Sequence, residues 1–177
     1  MKKRLLFALL TLFCISCEKD EIDLDNPDVQ KFVQQIKSGT YNLYEKGENG
    51  EDLWLQMPNF TKNNIQALIE LSQDTTHIAK YPLNPISSRT PFPSGREYLI
   101  LGECLLWTVE GIRNDYRYGS LDPYLIDTAL NEDERFQGLK GTEILMINDV
   151  YNTWWNSLKD KDWKNTNPLE NTSYVWY

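Results

Sequence analysis

The sequence predicts a small, mainly α-helical single domain, built as a helical bundle or as a stack of helix pairs, behind an N-terminal secretion signal. Apolar residues recur at spacings of three and four in several stretches, which is the period of a helix face. Residues that cap or break helices stand at the ends of those stretches. The 177 residues are enough for one domain with a hydrophobic core.

Residues 1–16 have the composition of a secretory signal peptide. Lys2, Lys3 and Arg4 form a basic start, and an uncharged apolar run follows at residues 5–13. That run is too short to span a membrane as a helix. We therefore expect residues 1–16 to be removed from the mature protein.

The signal ends in Cys14-Ile15-Ser16-Cys17, which resembles a bacterial lipobox with a small residue directly before the cysteine. The resemblance implies cleavage before Cys17 and acylation of that cysteine. Each buried CH₂ group contributes about 0.8 kcal/mol, so several acyl chains would hold the protein stably on a membrane. Ordinary secretion, with cleavage near the same place, is the alternative.

Charged residues dominate the segment directly after the cysteine. Lys19, Asp20 and Glu21 resemble the surface-export signal of Bacteroidetes lipoproteins, which implies an outer-membrane protein that faces the cell exterior. A plain acidic tether is the alternative. On either interpretation residues 17–26 form a solvated acidic tether, and residues 27–177 form the helical domain.

The acidic balance of the chain limits its partners. The precursor has 18 Lys and Arg against 26 Asp and Glu, and loss of residues 1–16 leaves 15 bases, a formal charge of −11. This charge argues against nucleic-acid binding and against electrostatic adhesion to anionic lipid. The predicted membrane contact is therefore made through the N-terminal lipid.

The first predicted helix begins with Asn26 as its cap and Pro27 at its first position, and Gly39 ends it. Its apolar face consists of Val29, Phe32, Val33 and Ile36. The next segment is ambiguous. Residues 41–45 and 53–57 form either a minor β-hairpin or a loop, and the sequence favours the loop.

Thr61 caps the second predicted helix, which ends near Asp74. Its apolar face consists of Ile65, Leu68, Ile69 and Ser72. Four prolines at positions 82, 85, 91 and 93 exclude a continuous helix after it. Residues 77–93 are therefore predicted to be a long proline-rich loop.

The central predicted helix covers residues 98–113 and is apolar nearly all round, which is typical of a buried helix. Ser94, with Glu97 three residues later, has the pattern of a capping box for it. Gly102 lies on its main apolar face. Because glycine disfavours a helix interior by about 1 kcal/mol, we expect another part of the chain to approach this backbone closely.

Two further helices are predicted in the C-terminal third. Asp122 and Pro123 begin one, whose face would contain Leu125, Ile126, Ala129 and Leu130. Thr142 begins the other, whose stripe runs to Leu158. The apolar end of the chain, residues 174–177, is predicted to pack back on the domain.

Two segments carry a resemblance to a known family: residues 74–89, with DTTHI and NPISSR, and residues 101–113, LGECLLWTVEGIR. They resemble an uncharacterised family of Bacteroidetes lipoproteins, a domain of unknown function. The similarity covers residues 26–158. It implies location and a mainly helical domain, and it implies no catalytic residue.

Glu103 and Glu110 lie seven residues apart and share a helix face with Trp107 between them. Two carboxylates beside an indole ring could line a glycan-hydrolysing cleft. The favoured alternative is that both acids cap neighbouring backbone or are buried and paired with arginines, for which Arg113, Arg89 and Arg96 are near in sequence. An arginine at position 89 would then hold the proline-rich loop on the central helix.

His77 is the one histidine, so a zinc site is not predicted, and no cofactor motif is present in the sequence. The predicted polar cluster, with a binding or a structural role, consists of His77, Arg89, Glu103, Trp107, Glu110 and Arg113. It contains no predicted catalytic residue.

The predicted function is that of a lipid-anchored, surface-exposed binding module for a glycan or a protein partner. Tryptophans exposed together on one face would support it. One alternative is a glycan hydrolase using Glu103 and Glu110, which requires both in an open cleft. Another is an acidic inhibitor or immunity-type protein that meets a basic partner.

Overall fold

The computed structural model describes residues 21–87, 96, 98–135 and 139–177. The helices in this part of the chain are α1 (Val29–Ser38), α2 (Ile65–Leu71), α3 (Leu101–Arg113), α4 (Glu132–Arg135) and α5 (Gly141–Leu158), with a 3₁₀ turn at Lys62–Asn64. The strands are β1 (Tyr44–Lys46), β2 (Asp52–Leu55), β3 (His77–Ile78), β4 (Leu99–Ile100), β5 (Leu125–Asp127) and β6 (Tyr174–Trp176).

The mainly helical class is confirmed, whereas the helical bundle is confirmed only in part. Three small antiparallel strand pairs, β1–β2, β3–β4 and β5–β6, lie among the described helices. Helix α2 packs against α1, α3 and α5, and α3 also packs against α5. Helices therefore form the core. The antiparallel strand pairs join segments of the chain that lie outside the helices.

Helix α3 is the centre of the core, as predicted. Every residue from 101 to 111 is buried, including the Trp107 ring. The helix begins three residues later than expected, because Leu99 and Ile100 pair with Ile78 and His77 as a short antiparallel ladder. For the same reason the predicted loop at 77–93 begins with two residues of strand.

Backbone carbonyls from the chain after α2 cap the start of α3. The Leu101 N–H donates to the Thr76 carbonyl at 3.0 Å, and the Gly102 N–H donates to the Asp74 carbonyl at 2.9 Å. These bonds satisfy amides that have no partner inside the helix. The predicted capping residues, Ser94 and Glu97, lie outside the described residues.

Helix α1 is where the sequence predicts it, but its cap lies two residues further on. The Asp28 carboxylate accepts from the Lys31 N–H at 3.0 Å, so Asp28 rather than Asn26 is the N-cap. A proline at position 27 then precedes the cap. Gly39 ends the helix in the left-handed conformation, with φ of 69°.

The prediction that favoured a loop at residues 41–57 is wrong, because β1 and β2 form a hairpin. Tyr44 pairs with Leu55 and Lys46 with Asp52, whose side chains also form an ion pair. Gly50 has a φ of 82°, which lets the chain reverse between the strands.

The prediction of a helix after Pro123 is also wrong, because residues 125–127 form β5. They pair antiparallel with β6, Leu125 opposite Trp176 and Asp127 opposite Tyr174. This pairing confirms that the end of the chain packs back on the domain. A short apolar run suits a buried strand as well as a helix, and here the distant partner decides.

Part of the predicted tether contacts the domain. Ile22 is buried in the core, and the Leu24 carbonyl accepts from the Asn59 N–H at 2.7 Å. Apolar side chains at positions 22 and 24 make this contact favourable. None of the helices in the described ranges has the length and apolar composition needed to cross a membrane.

Candidate functional site

Glu103 is completely buried in the core and has two partners. Arg96 binds both of its carboxylate oxygens, and the Leu125 N–H donates to Oε1 at 2.7 Å. Burial raises the pKa of the Glu103 carboxyl, and the neighbouring guanidinium opposes that rise. This acid therefore joins α3 to the segment before β4 and to β5.

Glu110 is also buried, about two turns further along the same helix. Arg113 donates to its Oε2 from Nε at 3.0 Å, and the Tyr151 hydroxyl donates to Oε1 at 2.8 Å. The Trp176 indole N–H donates in turn to the Tyr151 oxygen at 2.9 Å. This chain of bonds connects α3 with α5 and with the C-terminal strand.

The predicted pairing with arginine is thus observed for both acids. Trp107 between them is buried, and its indole N–H donates to the Ser120 hydroxyl at 2.8 Å. Because neither carboxylate lines an open cleft, the hydrolase alternative lacks the geometry that it required. Glu103, Trp107 and Glu110 have a structural role in the core.

His77 and Arg89 are the remaining members of the predicted polar cluster. The exposed His77 ring stacks on Tyr98 with a centroid separation of 3.7 Å, and the Arg96 guanidinium lies 5.6 Å from the centroid of the same Tyr98 ring. Arg89, like Cys17, Lys19 and Asp20, lies outside the described residues. Among the described residues, no group of three or more His, Cys, Asp or Glu side chains could hold a metal ion.

The best candidate for a ligand site is a groove of about 380 Å³ on one side of α3. We call it the basic groove. It is lined by residues 57–62, Thr108, Ile112, residues 115–117, Trp163 and Lys164. A volume of this size is within the usual range for small-molecule sites, about 300–1,000 Å³.

Three segments that are far apart in sequence meet at the basic groove. Arg117, in the turn after α3, donates to the Asn59 side-chain oxygen at 2.8 Å. Arg113 donates to the Lys164 carbonyl at 3.0 Å, and the Lys164 ammonium pairs with Asp115. These contacts hold the groove walls together through side chains on its rim.

The charges that line the groove have the opposite sign to the chain as a whole. Lys62, Arg117 and Lys164 are basic, and Asp115 is the one acid among the lining residues. The Lys164 ammonium lies 5.6 Å from the centroid of the Trp163 ring, within range of a cation–π interaction. The site can therefore attract an anion on an otherwise acidic protein.

Aromatic side chains contribute unequally to the groove. Tyr116 is 55% exposed at its edge, whereas Trp163 is 7% exposed beneath it. A face of grouped, exposed tryptophans, which would have supported the binding module, is not observed among the described residues. Trp54, on β2, is 40% exposed, while Trp107, Trp154, Trp155 and Trp163 are buried.

None of the exposed residues of the basic groove is predicted from the sequence as a binding residue, and Thr61 is predicted only as a helix cap. The available signals were the basic and aromatic pairs Tyr116-Arg117 and Trp163-Lys164 in an acidic chain. Each pair is unremarkable alone, and their proximity depends on where the chain after α5 returns. The groove could therefore be found only from the structure.

Comparison with known proteins gives a family and no further relative. The family described as a domain of unknown function, DUF4943, matches residues 23–177. No curated protein and no solved structure matches the chain. The matched range begins after the predicted signal and includes the whole helical domain.

Proposed function

This chain belongs to the DUF4943 family of unknown function, and from that premise we propose that it is a lipid-anchored binding module of the outer membrane. It would face the cell exterior and hold its ligand in the basic groove. The observation that carries the proposal is the exposed set of cationic, polar and aromatic groups that three separate segments bring to one concavity.

The core does not account for the exposed groups of the groove. Tyr116 is more than half exposed, and an exposed ring gains little stability from packing. Lys62 and Arg117 have no ion-pair partner among the described residues. Concave sites with a few convergent polar groups are the usual form of ligand sites.

The N-terminal sequence supports the anchor. The basic start, the apolar run and Ser16 before Cys17 favour acylation of that cysteine, and residues 19–21 favour export to the outer surface. The described segment at residues 22–24 lies against the domain, so a short linker would separate the lipid from it. The alternative of an acidic inhibitor or immunity-type protein stays a prediction.

Changing Cys17 to serine should abolish incorporation of labelled palmitate in cells that express the full chain. The serine lacks the thiol that is acylated, so the protein should leave the membrane fraction. The control is Cys14→Ser, which changes a cysteine of the removed signal and should leave labelling intact. Labelling of the Cys17→Ser protein at the normal level would refute the anchor.

Changing Tyr116 to alanine should weaken ligand binding about tenfold or more, because it removes the exposed ring of the groove. The measurement uses the full chain in detergent micelles on an array of oligosaccharides and peptides. Trp54→Ala removes an exposed ring outside the groove and should bind normally. An array without any ligand, or equal losses in both variants, would contradict the groove as the binding site.

A further inference from the structure

We propose that the ligand of the basic groove is an acidic polysaccharide, a sugar chain that carries carboxylate or sulfate groups. The inference rests on the proposed function, namely that the basic groove is the binding site. It goes further by naming the chemical class of the ligand.

The rim is positive where the rest of the chain is negative. The full chain has 26 acidic against 18 basic side chains, yet three of the four charged residues lining the groove are basic. Opposite charge on a concave surface attracts a ligand and rejects like-charged competitors. The acidic remainder would repel polyanions everywhere else, which restricts them to this site.

Two of these cations are available to a ligand. Within the described part of the chain Lys62 is exposed and has aromatic neighbours, its ammonium lying 6.0 Å from the ring centroids of Trp155 and Trp163. The Arg117 guanidinium is exposed and donates to the neutral Asn59 amide rather than to a carboxylate. A carboxylate or sulfate would supply an anionic partner, which neither cation has among the residues that the structure describes.

The other exposed groups of the rim fit a sugar. The polar side chains of the rim have partners within the chain: the Asn59 amide bonds to Arg117 and Asp25, Thr61 to Asn64, and Asp115 to Lys164. Sugar hydroxyl groups, which both donate and accept, can bond to the oxygen lone pairs that these contacts leave. The exposed Tyr116 ring offers an apolar face on which a pyranose ring can lie. Peptides without acidic motifs are usually held by an added strand or by apolar anchors in a groove, and the rim described here is mainly polar.

The test measures the affinity of the full chain in detergent micelles for two matched pairs of polymers. Dextran sulfate is compared with dextran, and polygalacturonate with its methyl ester. At least one charged polymer should bind at least tenfold more tightly than its uncharged partner, because the ester and the plain dextran lack the anions. The binding should weaken as salt is raised, since exposed charges are screened.

Matched variants connect this binding to the groove. Lys62→Ala and Arg117→Gln should each weaken binding of the charged polymer about tenfold. Lys80→Ala removes an exposed lysine outside the groove and should change the affinity less than twofold. Whichever charged polymer binds more tightly identifies sulfate or carboxylate as the preferred anion.

The remaining outcomes separate this inference from the proposed function. Equal binding of charged and uncharged polymers, lost in Tyr116→Ala, would overturn the acidic class and leave the groove as the site. Binding of a peptide from the array but of no polysaccharide would also overturn the acidic-polysaccharide class and leave the groove as the binding site. Charged polymers that bind Lys62→Ala and Arg117→Gln normally would also overturn it. If no ligand of any kind binds, the proposed function fails as well.

Discussion

Changing Arg96 to methionine should lower the free energy of unfolding by about 3–5 kcal/mol, the largest effect expected from a single substitution here. The change leaves the Glu103 carboxylate completely buried without its cationic partner. Among the residues that the structure describes, the Leu125 N–H would be the one remaining donor to it. A charge of this kind must either be neutralised by a proton or remain buried at high cost.

Denaturant unfolding of the purified protein, followed by circular dichroism, measures this effect. The double variant Arg96→Met with Glu103→Leu should recover most of the loss, because a well-packed apolar pair can replace a buried ion pair. Arg113→Met gives a graded comparison, since that arginine is partly exposed and Glu110 keeps its bond from Tyr151. A loss below about 1 kcal/mol for Arg96→Met would show that this ion pair contributes little to stability.

Helices α1 and α3 were predictable from the sequence. Their apolar periodicity extends over several turns, and the residues that mark a helix end are adjacent to the helix in sequence. Helix α1 has four apolar residues in register and a glycine that ends it in the left-handed conformation. Helix α3 is apolar nearly all round, which is the pattern of a helix surrounded by other elements. Both features depend only on residues in the helix or directly next to it.

The pairs β3–β4 and β5–β6 were not predictable, because each strand is short and a distant partner decides its conformation. His77 pairs with Ile100 across 23 positions, and Leu125 pairs with Trp176 across 51. The apolar residues at 125 and 126 match a helix face and a buried strand equally well. Only the return of the chain end to β5 selects the strand.

The candidate site likewise has some contacts that local sequence predicts and others that depend on distant segments. The ion pair of Glu110 with Arg113 was predictable, since residues three apart on a helix are neighbours. The partner of Glu103 is Arg96, seven residues away and before the helix begins, and that choice depends on how the chain enters β4. The basic groove depends on contacts between segments up to about 100 residues apart, which a local pattern cannot indicate.

Changing Gly102 to alanine should lower the free energy of unfolding by about 1–3 kcal/mol, although alanine is the better helix former. A Cβ atom at this position would overlap the Ser72 carbonyl oxygen and lie 3.0 Å from the Asp74 carbonyl oxygen. Both obstacles are backbone atoms, so no side chain can rotate away. The prediction from sequence that another segment approaches this glycine is confirmed.

Gly141→Ala is the matched control, since Gly141 also lies in a helix but meets only the Thr75 side chain, at 3.4 Å. There the added methyl group has room, and the higher helix propensity of alanine should leave stability unchanged or raise it by up to about 1 kcal/mol. Thermal and denaturant unfolding of the two variants measure the difference. If both alanine variants were equally stable, the chain after α2 could move away from α3 at little cost. If Gly102→Ala alone is destabilised, the close approach of these backbones fixes where β3 begins and how α3 is capped.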